Sequence, residues 1–246
     1  MSPEFGEIKI PRKITPCPIT EAIIELRFES DLPSEAVFGV IYGKLQNDYD
    51  KNVETLPVIQ LPAAIRNQDP SLKFQPYYKL QSGDFILQIG PKTISLSSTR
   101  EYVGWNEFSK KINGTISSVS DIGVIKHVLR LGIRYINIFE FNIFDKINLK
   151  LTMENQPFIA NQIKLNSSLK TGEFISNLRI VNESKIEINK ISKMVSVIDI
   201  DTSIERTSGI SLPDIASLMN TGHVEEKKIF FSLLNNEYLQ SLNPEY

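Results

Sequence analysis

Three short charged patterns could do chemistry. Glu25 and Arg27 stand two apart, as do Asp199 and Asp201, and Arg130 and Arg134 stand four apart around Gly132. In an extended chain, residues two or four apart share one face. Clustered carboxylates such as Asp199 and Asp201 suit a hard divalent cation. Paired guanidinium groups such as Arg130 and Arg134 suit a phosphate held bidentately. If the three strands are neighbours, all six charges face one another in a cleft between two halves of the chain. The alternative needs no ligand. Buried charge must be compensated, and these residues can compensate one another. The pairing reading is preferred, because no complete catalytic set accompanies them.

The remaining chemistry is sparse. No glycine-rich phosphate loop, dinucleotide fingerprint or nucleophile elbow occurs. The two histidines, His127 and His223, have no second histidine or cysteine at ligand spacing, so no zinc site is expected. No cofactor and no resident metal are expected, and no residue is assigned a catalytic role. Glu183-Ser184-Lys185 has the letters of a nuclease Glu-x-Lys, but Asn182 and Ser184 place it in a hairpin turn. Glu21, Glu25 and Arg27 begin the alternation of a triphosphate-tunnel strand, which Ala22 to Ile24 interrupts.

Composition narrows the class. The 246 residues are 41% hydrophobic and 23% charged, and the net charge is -2, an ordinary globular balance with no whole-protein field for nucleic acid. The single cysteine, Cys17, lies between two prolines and fits a reducing, cytoplasmic setting. There is no leader pattern and no apolar run of membrane-spanning length, so no membrane contact is expected.

The elements that must position the charges follow from periodicity. Four prolines mark residues 1–18 as an extended arm. Ile19 to Phe28 alternates as a strand, and a helix follows from Pro33 to Tyr49. A short strand is expected near Val58 to Leu61. Phe74 to Gln81, Asp84 to Ile89 and Thr93 to Ser98 read as a meander turning at Ser82-Gly83. Trp105 to Val119 has helical spacing. Val128 to Phe139 is a long apolar strand carrying both arginines. Phe158 to Leu165, Glu173 to Val181, Lys185 to Ile191 and Met194 to Asp201 read as a second meander. Leu212 to Leu242 reads as one long helix, with Gly222 as its weak point. The fold class is therefore α+β. Two similar units are expected, residues 19–126 and 127–246, each an antiparallel sheet with helices on one face and joined through the central strand.

Two surfaces are candidates for partners. Lys164, Lys170, Arg179, Lys185, Lys190 and Lys193 could follow a phosphate backbone on the second sheet, with Lys110, Lys111 and Lys126 extending it. Ile229, Phe230, Phe231 and Leu234 put apolar groups around more than one side of the last helix, which is then either clamped between two layers of its own core or docked on another chain.

Several segments in this order carry a resemblance: P-I-T-E-A-I-I-E-L-R-F from Pro18, Q-I-G-P from Gln88, G-W-N-E-F from Gly104, L-G-I-R-Y-I-N from Leu131 and I-D-I-D from Ile198. Together they resemble a sporadically distributed family of bacterial and archaeal proteins of about this length, to which no reaction is assigned. The resemblance spans nearly the whole chain. Patchy distribution is shared with mobile defence genes, which implies a role in antiviral defence. A looser similarity is to the separate N-terminal-and-linker subunit that partners short prokaryotic Argonautes. The function expected is a non-catalytic binding or scaffold subunit with a larger protein partner, reaching nucleic acid through that complex. The alternative is a metal-dependent enzyme on phosphate esters.

Overall fold

The computed structural model describes residues 9–50, 52–99, 101–157, 162–188 and 191–246. It is a mixed α+β chain. The strands are β1 (Ile19–Glu29), β2 (Glu54–Thr55), β3 (Tyr78–Ser82), β4 (Phe85–Gly90), β5 (Thr93–Ser98), β6 (His127–Phe139), β7 (Thr152–Met153), β8 (Gln156–Pro157), β9 (Lys164–Thr171), β10 (Phe174–Ile188) and β11 (Ile191–Ile210). The helices are α1 (Ser34–Leu45), α2 (Ala63–Gln68), α3 (Trp105–Ser120), α4 (Ile215–Leu233) and α5 (Asn236–Ser241). The strands hydrogen-bond in the order β2-β3-β4-β5-β1-β6-β11-β10-β9, and β7 and β8 form a separate small ribbon. No described helix is long and apolar enough to cross a membrane.

The chain divides into two compact units, and neither is continuous in sequence. One comprises residues 21–133 and 203–220; the other comprises residues 1–20, 134–202 and 221–246. In the first, period-two alternation drives β1 into the sheet: Ala22, Ile24, Leu26 and Phe28 are fully buried and the odd-numbered residues are not. Antiparallel β5 sets Glu25 opposite Ser95 and Arg27 opposite Thr93. The β3–β4 hairpin turns through two residues, and Gly83 has the positive φ that the turn needs. Val37, Ile41 and Leu45 from α1 and Phe108, Ile112 and Val119 from α3 fill the core at helical spacing.

In the second unit, β9 and β10 pair from Lys164–Val181 to Thr171–Phe174. Ile198 and Ile200 of β11 are fully buried with Phe139, Ile143 and Ile180, beneath Ile229, Phe230, Phe231 and Leu234. The four residues expected to meet a partner therefore lie inside this unit, at 2–6% exposure, and present no docking surface. A helix that is apolar on several sides is here enclosed rather than displayed.

Three expectations about elements need correction. Phe174 to Val181 and Lys185 to Ile188 belong to one strand, β10, which continues through Asn182 to Lys185, and Ile191 opens β11. Glu183 takes φ 49° within it, and the buried Asn182 side chain accepts a hydrogen bond from the Ile163 amide at 2.6 Å. The turn-forming residues make a local kink rather than a reversal. Residues 57–60 form a 3-10 turn, not a strand. The last helix breaks after Leu233, where Asn235 caps α5 by accepting from the Tyr238 amide, whereas Gly222 lies inside α4. Part of the expected strand Phe158–Leu165 lies outside the described residues, and β9 begins at Lys164.

The arm has a use within the chain. The Arg12 amide donates to the Glu245 carbonyl at 2.6 Å, and the Thr15 amide to the Leu242 carbonyl at 2.7 Å. Lys227 Nζ donates to the Pro11 carbonyl at 2.7 Å, and Ile14 is buried among the helix side chains.

Candidate functional site

The six charges are shared between the two compact units. Glu25, Arg27 and Arg130 belong to one unit; Arg134, Asp199 and Asp201 belong to the other.

In the first unit Glu25 is the hub. Its Oε1 accepts from Arg27 Nε at 2.8 Å and from Arg130 Nη1 at 2.7 Å. Arg130 also pairs with Glu205 at 3.3 Å. The Arg130 side chain is 8% exposed, whereas Glu205 is 68% exposed, so the group runs from the interior to solvent. Gly132 explains how a guanidinium lies flat there. A Cβ at that position would stand 2.4 Å from Arg130 Nη1, so the bare backbone forms the surface on which the guanidinium rests. Glu205 was missed by sequence reasoning, which ended the strand at Asp201. The observed strand runs on to Ile210, and the continued alternation of Ile198, Ile200 and Ile204 with Asp199, Asp201 and Glu205 was the signal.

In the second unit Arg134 and Asp199 form a two-point pair, Nε to Oδ1 and Nη2 to Oδ2, both 2.7 Å. This geometry matches the guanidinium fork to the carboxylate and is the stronger form of ion pair. Asp199 is 11% exposed and Arg134 41%. Asp201 lies on the same side of β11 and lines, with both of them, an open cavity of about 460 Å³. Arg179, Asn166, Ser168 and Asn177 complete its rim.

The other candidates separate clearly. Lys164, Lys170, Arg179 and Lys185 are exposed on β9 and β10. Lys193 is paired with Glu140 at 2.5 Å, and Lys126 with Asp31 at 2.9 Å. Lys111 lies over the Tyr49 ring at 4.7 Å. Lys190 lies outside the described residues. Glu183-Ser184-Lys185 is on a strand after all, yet among the described residues no three carboxylate, imidazole or thiolate side chains are grouped to hold a metal. His127 is 2.9 Å from Glu29.

One polar group was not foreseen. His223 and Glu226 stand one turn apart on α4 and are both desolvated. The His223 Nδ1 is 2.9 Å from the Tyr135 hydroxyl, and burial lowers the imidazole pKa to about 3. Burial raises the Glu226 carboxyl to about 8, with Lys227 opposing weakly. The signal was spacing: Glu226 falls on the stripe that carries Met219 and Ile229.

No protein-family model and no curated protein matches this chain.

Proposed function

We propose that the protein is a non-catalytic binding subunit of a larger prokaryotic assembly. One observation carries this reading. The carboxylates that a metal-dependent reaction would use are engaged by guanidinium groups, Asp199 at two points by Arg134 and Glu25 by Arg27 and Arg130. A cation entering there must displace a fixed opposite charge, which costs the pair's electrostatic and hydrogen-bond energy. The resemblance noted in the sequence supports a setting in defence against foreign nucleic acid, with an Argonaute-like protein as the partner class.

A duplicated origin is part of the proposal. The strand order supports it: outward from the middle, β1-β5-β4-β3 on one side mirrors β6-β11-β10-β9 on the other. In each half a leading strand pairs with the last strand of the meander that follows it, and a helix then ends the half.

Thermal unfolding in manganese or magnesium, set beside affinity capture of the tagged protein with its gene neighbours co-expressed, tests the function. The expected result is no metal-dependent rise in the midpoint and a stoichiometric partner. A metal-dependent rise that Asp199→Ala removes would replace this reading with the phosphate-ester enzyme.

A further inference from the structure

The strands of the second unit end on an edge. β9 is the last strand in the order, and it pairs with β10 at every position from Lys164–Val181 to Thr171–Phe174. That ladder fixes which backbone groups are used. The hairpin turns through Gly172 and Glu173, so the Thr171–Phe174 pair that closes it exchanges hydrogen bonds. The Asn182 amide, donating to the Ile163 carbonyl at 3.2 Å, gives the same phase at the other end. Leu165, Ser167 and Leu169 therefore bond to β10. Lys164, Asn166, Ser168 and Lys170 turn their amides and carbonyls outward, in a row about 20 Å long. Among the described residues no other backbone meets that row. β2, at the far end of the strand order, has 2 residues and is too short to seat another strand.

The two faces of β9 say what would pair there. On one, Leu165 and Leu169 are half-buried against the core, whereas Ile180, opposite Leu165, is fully buried. The apolar layer reaches the edge unfinished, and a further strand would extend its cover. On the other face Lys164, Asn166, Ser168 and Lys170 are exposed, and neither lysine forms an ion pair among the described residues. Lysines on an edge discourage pairing with a like edge. Full antiparallel overlap of two copies would set Lys164 of one against Lys170 of the next at both ends, and like charges directly opposite repel. A foreign strand with a carboxylate opposite each lysine turns that repulsion into two cross-strand pairs. We infer that β9 takes up an extended segment of the protein partner as an added strand. Its acidic residues stand six positions apart, as Lys164 and Lys170 do, with apolar residues beside Leu165 and Leu169 and small polar ones between. E-L-T-V-T-L-E is the simplest such segment. Main-chain hydrogen bonds supply the affinity and alternate side chains the choice of partner. The inference rests on the binding-subunit reading and names the chemistry of its contact.

Fluorescence anisotropy with labelled, end-capped E-L-T-V-T-L-E tests this, beside the same peptide N-methylated at both threonines and beside K-L-T-V-T-L-K. In antiparallel pairing the threonine amides face Asn166 and Ser168, so methylation removes the hydrogen bonds and leaves the charge. The acidic peptide should bind at least about tenfold more tightly than either of the others. Ser168→Pro deletes one outward amide and no bond to β10, and should weaken the acidic peptide about tenfold, whereas Ser168→Ala should not. Lys164→Glu with Lys170→Glu should transfer the preference to the basic peptide. An unchanged melting midpoint verifies that the variants fold, and the N-methyl comparison needs no variant. Equal binding of the methylated and unmethylated peptides would overturn the strand pairing, as would equal binding by a folded Ser168→Pro. Self-association of the unaltered protein that Ser168→Pro abolishes, seen by sedimentation, would give the edge to a second copy and overturn the foreign strand. A stoichiometric partner captured equally by Ser168→Pro and the parent would sink this inference and leave the subunit reading intact; peptide binding with no partner would do the reverse.

Discussion

Stability should fall on both sides of a plateau between about pH 4.5 and 6.5, and Glu226→Gln should abolish the alkaline fall. Burial raises the Glu226 carboxyl from 4.5 to about 8. Between those values the folded state keeps a proton that the unfolded state has released. Stability then decreases as pH rises, by about 1.4 kcal/mol per unit, and levels off above pH 8. His223 has the opposite displacement, from 6.5 to about 3. Between those values the unfolded state binds a proton that the folded state refuses, so stability increases as pH rises toward 6.5. The two slopes cancel where they overlap. Glutamine keeps the shape of the protonated acid and cannot ionise. The variant should match the parent near pH 4 and exceed it at pH 8.5 by several kcal/mol, an order-of-magnitude figure. Urea midpoints across this range provide the measurement. An alkaline fall that persists unchanged in Glu226→Gln would place its origin elsewhere.

Arg130→Ala should cost about 3 kcal/mol, the largest loss among the charged residues of the sheet. Its side chain is 8% exposed and closes on Glu25 at 2.7 Å and Glu205 at 3.3 Å. Removing it leaves a space over Gly132 and a carboxylate with Arg27 as its one remaining guanidinium of the two. Arg134→Ala should cost less, because that side chain is 41% exposed and water can replace much of it. Gly132→Ala provides the companion measurement. The new methyl displaces the guanidinium, which is the mobile end of a long side chain, so about 1 kcal/mol is expected. Once Arg130 is absent the same methyl should be nearly harmless. A double-mutant cycle on chemical denaturation measures that coupling. Additive effects would show that Gly132 supports something other than Arg130.

The strands around these residues were legible because one face of each is buried. Thr93–Ser98 was read to the residue, and β1 and β6 to within one, since Leu26 or Ile133 cannot change face without exposing apolar surface. Arg130 and Arg134 declared themselves as charges inside an apolar run. Their partners were less visible. Asp199 was in the pattern, but Glu205 is 75 positions from Arg130, and local periodicity does not encode that register. Asn182 to Lys185 failed for another reason. Those letters favour reversal when the chain is isolated, and the Asn182 side chain instead spends its hydrogen bonds on Ile163 and Asn142. Ile229 to Leu234 was read correctly as unusually apolar, but whether the chain's own core or another chain covers it stayed open, because a single sequence does not say what lies over a helix. Glu226 was hidden in plain view on that same stripe.

The unit that holds Arg134 and Asp199 is assembled from three separated stretches, residues 1–20, 134–202 and 221–246. A ribosome releases the chain from its amino end, so Ile14 and Thr15 emerge more than two hundred residues before Leu242, against which they finally rest. Closing so long a loop costs entropy before any contact compensates it. During synthesis residues 9–18 therefore wait for the segment around Leu242, which is made far later.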